Sequence, residues 1–285
     1  MNENNGLSGI NICFYGAGSM AEAIARGIVE RKLVLPEQVS MLNRGNAERL
    51  NELHERYGVR TVLQGGSAEA YLAEADIVFL AMKPKDAAAA LAALKPHLSP
   101  GQLVISVIAG LSIGAMEKLL GVRPIVRTMP NTSSTIGLGV TGITYSASVT
   151  AEQRAVTEAL FSAIGINAVV EEPLQLAVNA ISGSGPAYIY YVMEAMLQAA
   201  GELGMERGAA RELVVQTVLG AAEMVRSTGE EPEELRRKVT SPNGTTQAAI
   251  ETMAEGGLQP VFVQAIRRCA ERAAEIGADI ERSIS

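Results

Sequence analysis

The chain has 285 residues, 48% of them hydrophobic, enough apolar material for two domains with buried cores. A net charge of −7, only 4% aromatic residues and no tryptophan exclude the basic, ring-lined surfaces that nucleic acids require. Two cysteines without metal-ligand spacing exclude a disulfide framework, and MNENNGLSG at the start lacks a signal-peptide pattern, so a cytoplasmic chain is expected.

The apolar run INICFYGAG (10–18) predicts a first strand ending in glycines, followed by a helix from Ser19 to about Arg31. QVSMLNR (38–44) predicts a second strand, after which Asn46 caps a helix with Leu50 and Leu53 on one face. VRTVL (59–63), ADIVFLAMKP (75–84), QLVISVIAG (102–110) and PIVRTMPN (124–131) predict four more, the second of these nearly all apolar, as a strand covered on both faces should be. LGVTGITYS (138–146) reads as a late strand or hairpin. Thr150 and Gln153 form a capping box for a helix ending near Gly165, and INAVVE (166–171) reads as an edge strand. Strands alternating with helices predict a doubly wound, mostly parallel sheet.

From Leu174 onward the pattern is helical. The uncharged stretch from Leu174 to Met193 contains Asn179, Gly183, Gly185 and Pro186, which favours a buried, broken helix over a membrane span. Helices are expected at about 186–203, apolar nearly all round and so core or interface, and at 208–227, from Pro232, and at 245–254 and 260–276. The expected domains are 1–167, α/β, and 168–285, all-α.

GAGSMA (16–21) follows the first strand and opens a helix. Gly16 suits a tight turn, Gly18 lets backbone approach a pyrophosphate, and Ala21 allows close packing; the helix N-terminus adds N–H donors and partial positive charge. The second strand ends in Asn43 and Arg44 with no acid, which favours the 2′-phosphate of NADPH over NADH. AMKP (Ala81, Met82, Lys83, Pro84) closes a strand at the ligand-binding end, where Lys83 reaches a phosphate or ribose unless it is a surface lysine. Asn131 of MPN ends a later strand at the same face, on the nicotinamide side. His54 and His97 have no obvious partner, and Cys13 reads as a buried small hydrophobe.

Reduction of a ketone needs a proton donor for the developing alkoxide. No histidine follows His97, no lysine lies between Lys118 and Lys238, and no acidic cluster has the layout of a metal site. A protonated imine needs no such donor, because hydride addition to its carbon leaves a neutral amine. VTSPNGTT (239–246) breaks the helical half with small hydroxyl residues and backbone N–H groups at a helix start, an anion cradle suited to a carboxylate.

With SGSGPAY (182–188) and VTSPNGTTQAAIETM (239–253) added, the chain resembles the pyrroline-5-carboxylate reductase family over about residues 9–278. The resemblance implies an N-terminal Rossmann domain that binds NADPH, with NADH also admitted, through Gly16, Ala17, Gly18, Ser19, Met20, Asn43, Arg44 and Ala81 to Pro84. It implies an all-α C-terminal dimerisation domain, giving an obligate homodimer that can assemble further into a decamer. It further implies that Ser241, Asn243, Gly244, Thr245 and Thr246 hold the carboxylate of pyrroline-5-carboxylate, with the Thr246 hydroxyl near the ring nitrogen, in the last step of proline biosynthesis. Neither nucleic acid, membrane nor metal is expected. The family often has Asn in place of Ser19 and of Ala68, the latter touching the cofactor, and glycine in place of Asn243; Asn tolerates a left-handed backbone. A reductase of another cyclic imine or hydroxy acid, or a non-catalytic NADP-binding regulator, are the alternatives.

Overall fold

A computed structural model describes residue 7, residues 9–65 and residues 67–284. Two compact units emerge: one runs to Ser184 and takes in the chain again from Cys269, and the other is Gly185–Arg268.

The first unit alternates strand and helix: β1 (Ile12–Tyr15), α1 (Ser19–Glu30), β2 (Val39–Asn43), α2 (Ala47–Tyr57), β3 (Arg60–Leu63), α3 (Ala68–Glu74), β4 (Ile77–Leu80), α4 (Ala87–Leu94), β5 (Leu103–Ser106), α5 (Ile113–Leu120) and β6 (Ile125–Pro130). Then come β7 (Gly139–Tyr145), α6 (Ala151–Ser162), β8 (Gly165–Val169) and the short α7 (Gln175–Val178). The strands form one sheet in the order β3-β2-β1-β4-β5-β6-β7-β8. The first six are parallel, in the order of a dinucleotide-binding sheet. The 138–146 segment is an antiparallel partner of β6, placing Thr128 opposite Ile143, and β8 runs parallel to it at the sheet's edge.

Each face of the sheet carries its own core. Phe14, Ile24, Leu50, Leu53, Phe79 and Phe161 pack on one side, and Leu42, Leu72, Leu91, Leu94 and Met116 on the other. Phe14 and Phe79 are register partners, and their rings stack 4.5 Å apart. Every residue of β1, β4 and β5 is buried, which is why those runs carry no charge. Asn46 caps α2 by accepting from the Arg49 N–H, and the Thr150–Gln153 capping box is made in both directions.

Several strands end earlier than expected, β1 at Tyr15 and β5 at Ser106 among them, and two boundaries have a clear physical cause. The strand expected over 75–84 ends at Leu80, and Pro84 opens a 3₁₀ turn, since proline donates no ladder hydrogen bond. The last helix, expected over 260–276, continues to Ile284. Its end is held by tertiary contacts: Ile280 is buried in the second core, the Ser112 hydroxyl donates to Glu281 at 2.8 Å, and Gly110 and Gly277 meet backbone to backbone.

The second unit is helical: α8 (Gly185–Glu202), α9 (Arg207–Thr228), α10 (Pro232–Lys238), α11 (Thr245–Glu255) and the start of α12 (Leu258–Ile284). No residue of α8 is buried by its own chain. Tyr191, Leu213, Leu219 and Val261 stand exposed as well, an apolar surface of the kind another chain covers. Among the described residues, no helix is long and apolar enough to cross a membrane.

Candidate active site

The carboxyl ends of β1, β2, β3 and β4 open onto a groove of about 500 Å³, lined by Gly16, Ala17, Gly18, Asn43, Arg44, Gln64, Ala81, Met82 and Lys83. Gly16 has φ +124, and a β-carbon there would lie 2.7 Å from the Ala81 carbonyl carbon, so strand β4 and the first turn approach as only glycine permits. Gly18 differs: an added β-carbon would meet nothing within 4 Å. The space it leaves is the open groove. No hydrogen bond among the described residues uses the N–H of Ala17, Gly18, Ser19 or Met20. Gly18 caps α1 without a side-chain acceptor, so these unused donors lie at the positive end of the helix dipole. A free fan of N–H groups beside an empty glycine face is what a dinucleotide pyrophosphate fits.

The loop is braced from behind. Arg49 donates to the Ala17 carbonyl at 3.4 Å and to Glu22, which also accepts from Arg56 and from the Tyr57 hydroxyl at 2.7 Å. Partial burial alone would raise the Glu22 carboxyl; the Arg49 and Tyr57 hydrogen bonds outweigh it and hold the group below the ordinary carboxylate range.

Asn43 accepts through its side chain from the Gly45 and Asn46 N–H groups, at 3.1 and 2.9 Å, a local turn that leaves the Arg44 side chain 82% exposed at the groove. Ser19 is exposed at the start of α1, Met20 packs on the first core, and Pro84 begins the turn beyond β4; none of the three lines the groove. Ala68, matched by the resemblance to a cofactor-touching Asn, is instead buried in the second core as the first residue of α3. Gln64, Lys85, Asp86 and the alanine wall Ala89, Ala90 and Ala93 do line the groove, and sequence reasoning missed them. The signal was the charge pair directly after AMKP.

Asn131 is buried, and both halves of its amide are engaged. It donates to the Ser182 carbonyl at 3.0 Å and accepts from the Val140 N–H at 3.3 Å. Ser182 belongs to a π-helical turn, Asn179–Gly183, where Gly183 leaves room for Met129. The MPN and SGSG motifs are therefore one packed unit.

In the 239–246 turn, Asn243 has φ +56, the left-handed conformation its side chain tolerates. Its N–H donates to the Gln247 side chain at 2.7 Å, and the Gly244 N–H donates to the Ser241 carbonyl at 3.0 Å. Those two donors are internally satisfied. The N–H groups of Thr245, Thr246 and Gln247 are not, and Gly244 caps α11 without a side chain. The unused donors thus begin at Thr245, just past the Ser241–Gly244 turn, which the Gln247 side chain braces. Ser241, Thr245 and Thr246 are exposed around it.

Elsewhere, His54 shares a 2.9 Å hydrogen bond with the Val59 carbonyl, a structural role at the end of α2. Burial pushes the Cys13 thiol up to about 12. Among the described residues, no group of three His, Cys, Asp or Glu is placed to hold a metal.

A dinucleotide groove on a doubly wound sheet, joined to helices with exposed apolar faces, defines a Rossmann-type oxidoreductase with a helical dimerisation region. A family model described as "Pyrroline-5-carboxylate reductase dimerisation" matches residues 172–276, and one described as "NADP oxidoreductase coenzyme F420-dependent" matches residues 11–110. Pyrroline-5-carboxylate reductase 1 of Bacillus subtilis is 41% identical over 95% of this chain and 91% of its own. A solved pyrroline-5-carboxylate reductase from Coxiella burnetii superposes with a TM-score of 0.86 at 37% identity, over 94% of this chain and 98% of that one. The Plasmodium falciparum pyrroline carboxylate reductase, solved with NADP bound, gives 0.86 at 27% identity, over 95% of this chain and 100% of that one. This chain belongs to the pyrroline-5-carboxylate reductase family.

Proposed function

We propose that the protein reduces the cyclic imine L-1-pyrroline-5-carboxylate to L-proline with NADPH. The observation that carries this reading is the turn ahead of α11, where a left-handed Asn243 leaves three N–H groups, of Thr245, Thr246 and Gln247, free at a helix start. These donors suit a carboxylate, and the dipole of α11 adds to them. Ser241, Asn243 and Gly244 shape the turn, and the Thr246 hydroxyl is the group we assign to the ring nitrogen.

The first unit would hold the cofactor: Gly16 and the N–H groups of Ala17, Gly18, Ser19 and Met20 at the pyrophosphate, Asn43 and Arg44 at the adenosine ribose, and Ala81, Met82 and Lys83 along the other wall, with Pro84 turning the chain beyond them. When bound, the nicotinamide supplies the hydride. Asn131 acts from behind, holding the 179–184 turn against the end of β6. The imine carbon gains hydride and its C=N π electrons pass to nitrogen, which already carries the proton, so no acid side chain is required of the protein. Exposed Arg44 beside Lys83 supports a preference for NADPH over NADH.

The apolar faces of α8, α9 and α12 support a homodimer closed through the helical region, with assembly to a decamer as a further step. Two unpaired cysteines suit a reducing compartment such as the cytoplasm. The test is turnover of pyrroline-5-carboxylate, followed by loss of reduced-nicotinamide absorbance, with NADH in parallel. Consumption of NADPH establishes the reductase. Tight NADPH binding with no consumption overturns it and leaves a nucleotide-binding regulator.

A further inference from the structure

Beyond the glycine loop, four charged residues line the groove. Arg44 follows β2, Lys83 follows β4, and Lys85 and Asp86 lie in the 3₁₀ turn that leads into α4. Arg44 and Asp86 form an ion pair at 3.8 Å, too long for a hydrogen bond and so loosely held. Ala89, Ala90 and Ala93 continue from this turn as an uncharged, small-residue wall of the groove. Three cations against one carboxylate suit a dianionic group. The single carboxylate suits a ribose hydroxyl, which can donate to it.

We propose that Lys85 and Asp86 are specificity-determining residues for the cofactor: Lys85 favours a 2′-phosphate, and Asp86 opposes it while accepting from an unphosphorylated ribose. This rests on the reading of the groove as the nucleotide site. Asp86 acts in two ways. Its charge repels a phosphate directly, and its pairing with Arg44 competes for the same guanidinium. The outcome is a reductase that discriminates between the two nicotinamide cofactors modestly, because attraction and repulsion are built into one turn.

The experiment is calorimetric binding of 2′,5′-ADP and of 5′-AMP to the full-length protein, as wild type, Lys85→Ala and Asp86→Asn. Lys85 is exposed, and Asp86 is half-buried but caps α4 with no side-chain hydrogen bond, so both variants are expected to fold as the wild type does. Exposed charge pairs contribute ~0.2–1 kcal/mol each. Lys85→Ala should therefore weaken 2′,5′-ADP by roughly 2–5-fold and leave 5′-AMP within about twofold. Asp86→Asn should tighten 2′,5′-ADP by a similar factor and weaken 5′-AMP, and added salt should shrink both effects. If wild type binds both analogues and neither variant moves their ratio, the proposal is overturned while the groove assignment stands. If wild type binds neither, the groove assignment itself fails and the proposal falls with it.

Discussion

The sequence assigns the two glycines of the first loop different roles, and single alanine substitutions separate them. At Gly16 an alanine β-carbon meets the Ala81 backbone at φ +124. Backbone strain of ~1–3 kcal/mol and a steric cost of similar size add to about 2–6 kcal/mol, because both partners are main chain and neither can rotate away. Gly18 has φ −77 and ψ −179, which any residue adopts, and an added β-carbon touches nothing. The small loss of a good helix cap there is offset by the lower entropy of the unfolded chain, so stability should change by no more than about 0.5 kcal/mol. The new methyl nonetheless stands where the pyrophosphate must approach. Thermal unfolding should thus fall by roughly 4–24 °C for Gly16→Ala. For Gly18→Ala it should hardly move, while NADPH affinity, read by fluorescence titration, drops at least about tenfold, a loss near 1.4 kcal/mol. Equal destabilisation by both variants, or unchanged NADPH binding in Gly18→Ala, would refute this division of roles.

Thr246→Ala should lower turnover far more than NADPH affinity, and Thr246→Ser should restore much of it; equal loss of both quantities removes Thr246 from its assigned role. Asn243→Gly should leave the turn intact, whereas Asn243→Val should raise KM for the imine, since a β-branched residue at φ +56 is strained by ~1–2 kcal/mol. Ile280→Ala should destabilise the first unit by roughly 2–4 kcal/mol in denaturant unfolding, because its side chain is buried in the second core. Glu22 has a folded pKa below its unfolded value, so its contribution is present at neutral pH and lost as pH falls below the ordinary carboxylate range. Glu22→Gln should flatten the acid limb of the stability–pH curve.

Local rules made much of the molecule legible from sequence. Continuous apolar runs marked β1, β4 and β5 because strands covered on both faces tolerate no charge. Asn46, Thr150 and Gln153 marked helix starts because capping uses neighbours three residues apart. The glycine loop and the turn before α11 were recognisable because their chemistry lies within a few consecutive residues. Asn243 even kept its left-handed conformation where glycine was the expected occupant.

Tertiary structure alone decided what depends on distant partners. Nothing local at 277–284 tells that α12 continues; Ile280 and Glu281 are fixed by residues far back in the chain, around Gly110 and Ser112. Asn131 ties to the Ser182 carbonyl because the 179–183 turn packs on β6, a contact between residues 51 apart. Ala68 went into the core because α3 packs on one face of the sheet, and Lys85, Asp86 and Gln64 came to the groove because the parallel order β3-β2-β1-β4 sets those strand ends in one row. Sequence determines which short segments can bind an anion or start a helix, since those choices are made over a few bonds. Which side chains share a groove is set by sheet order and packing, which no local pattern encodes.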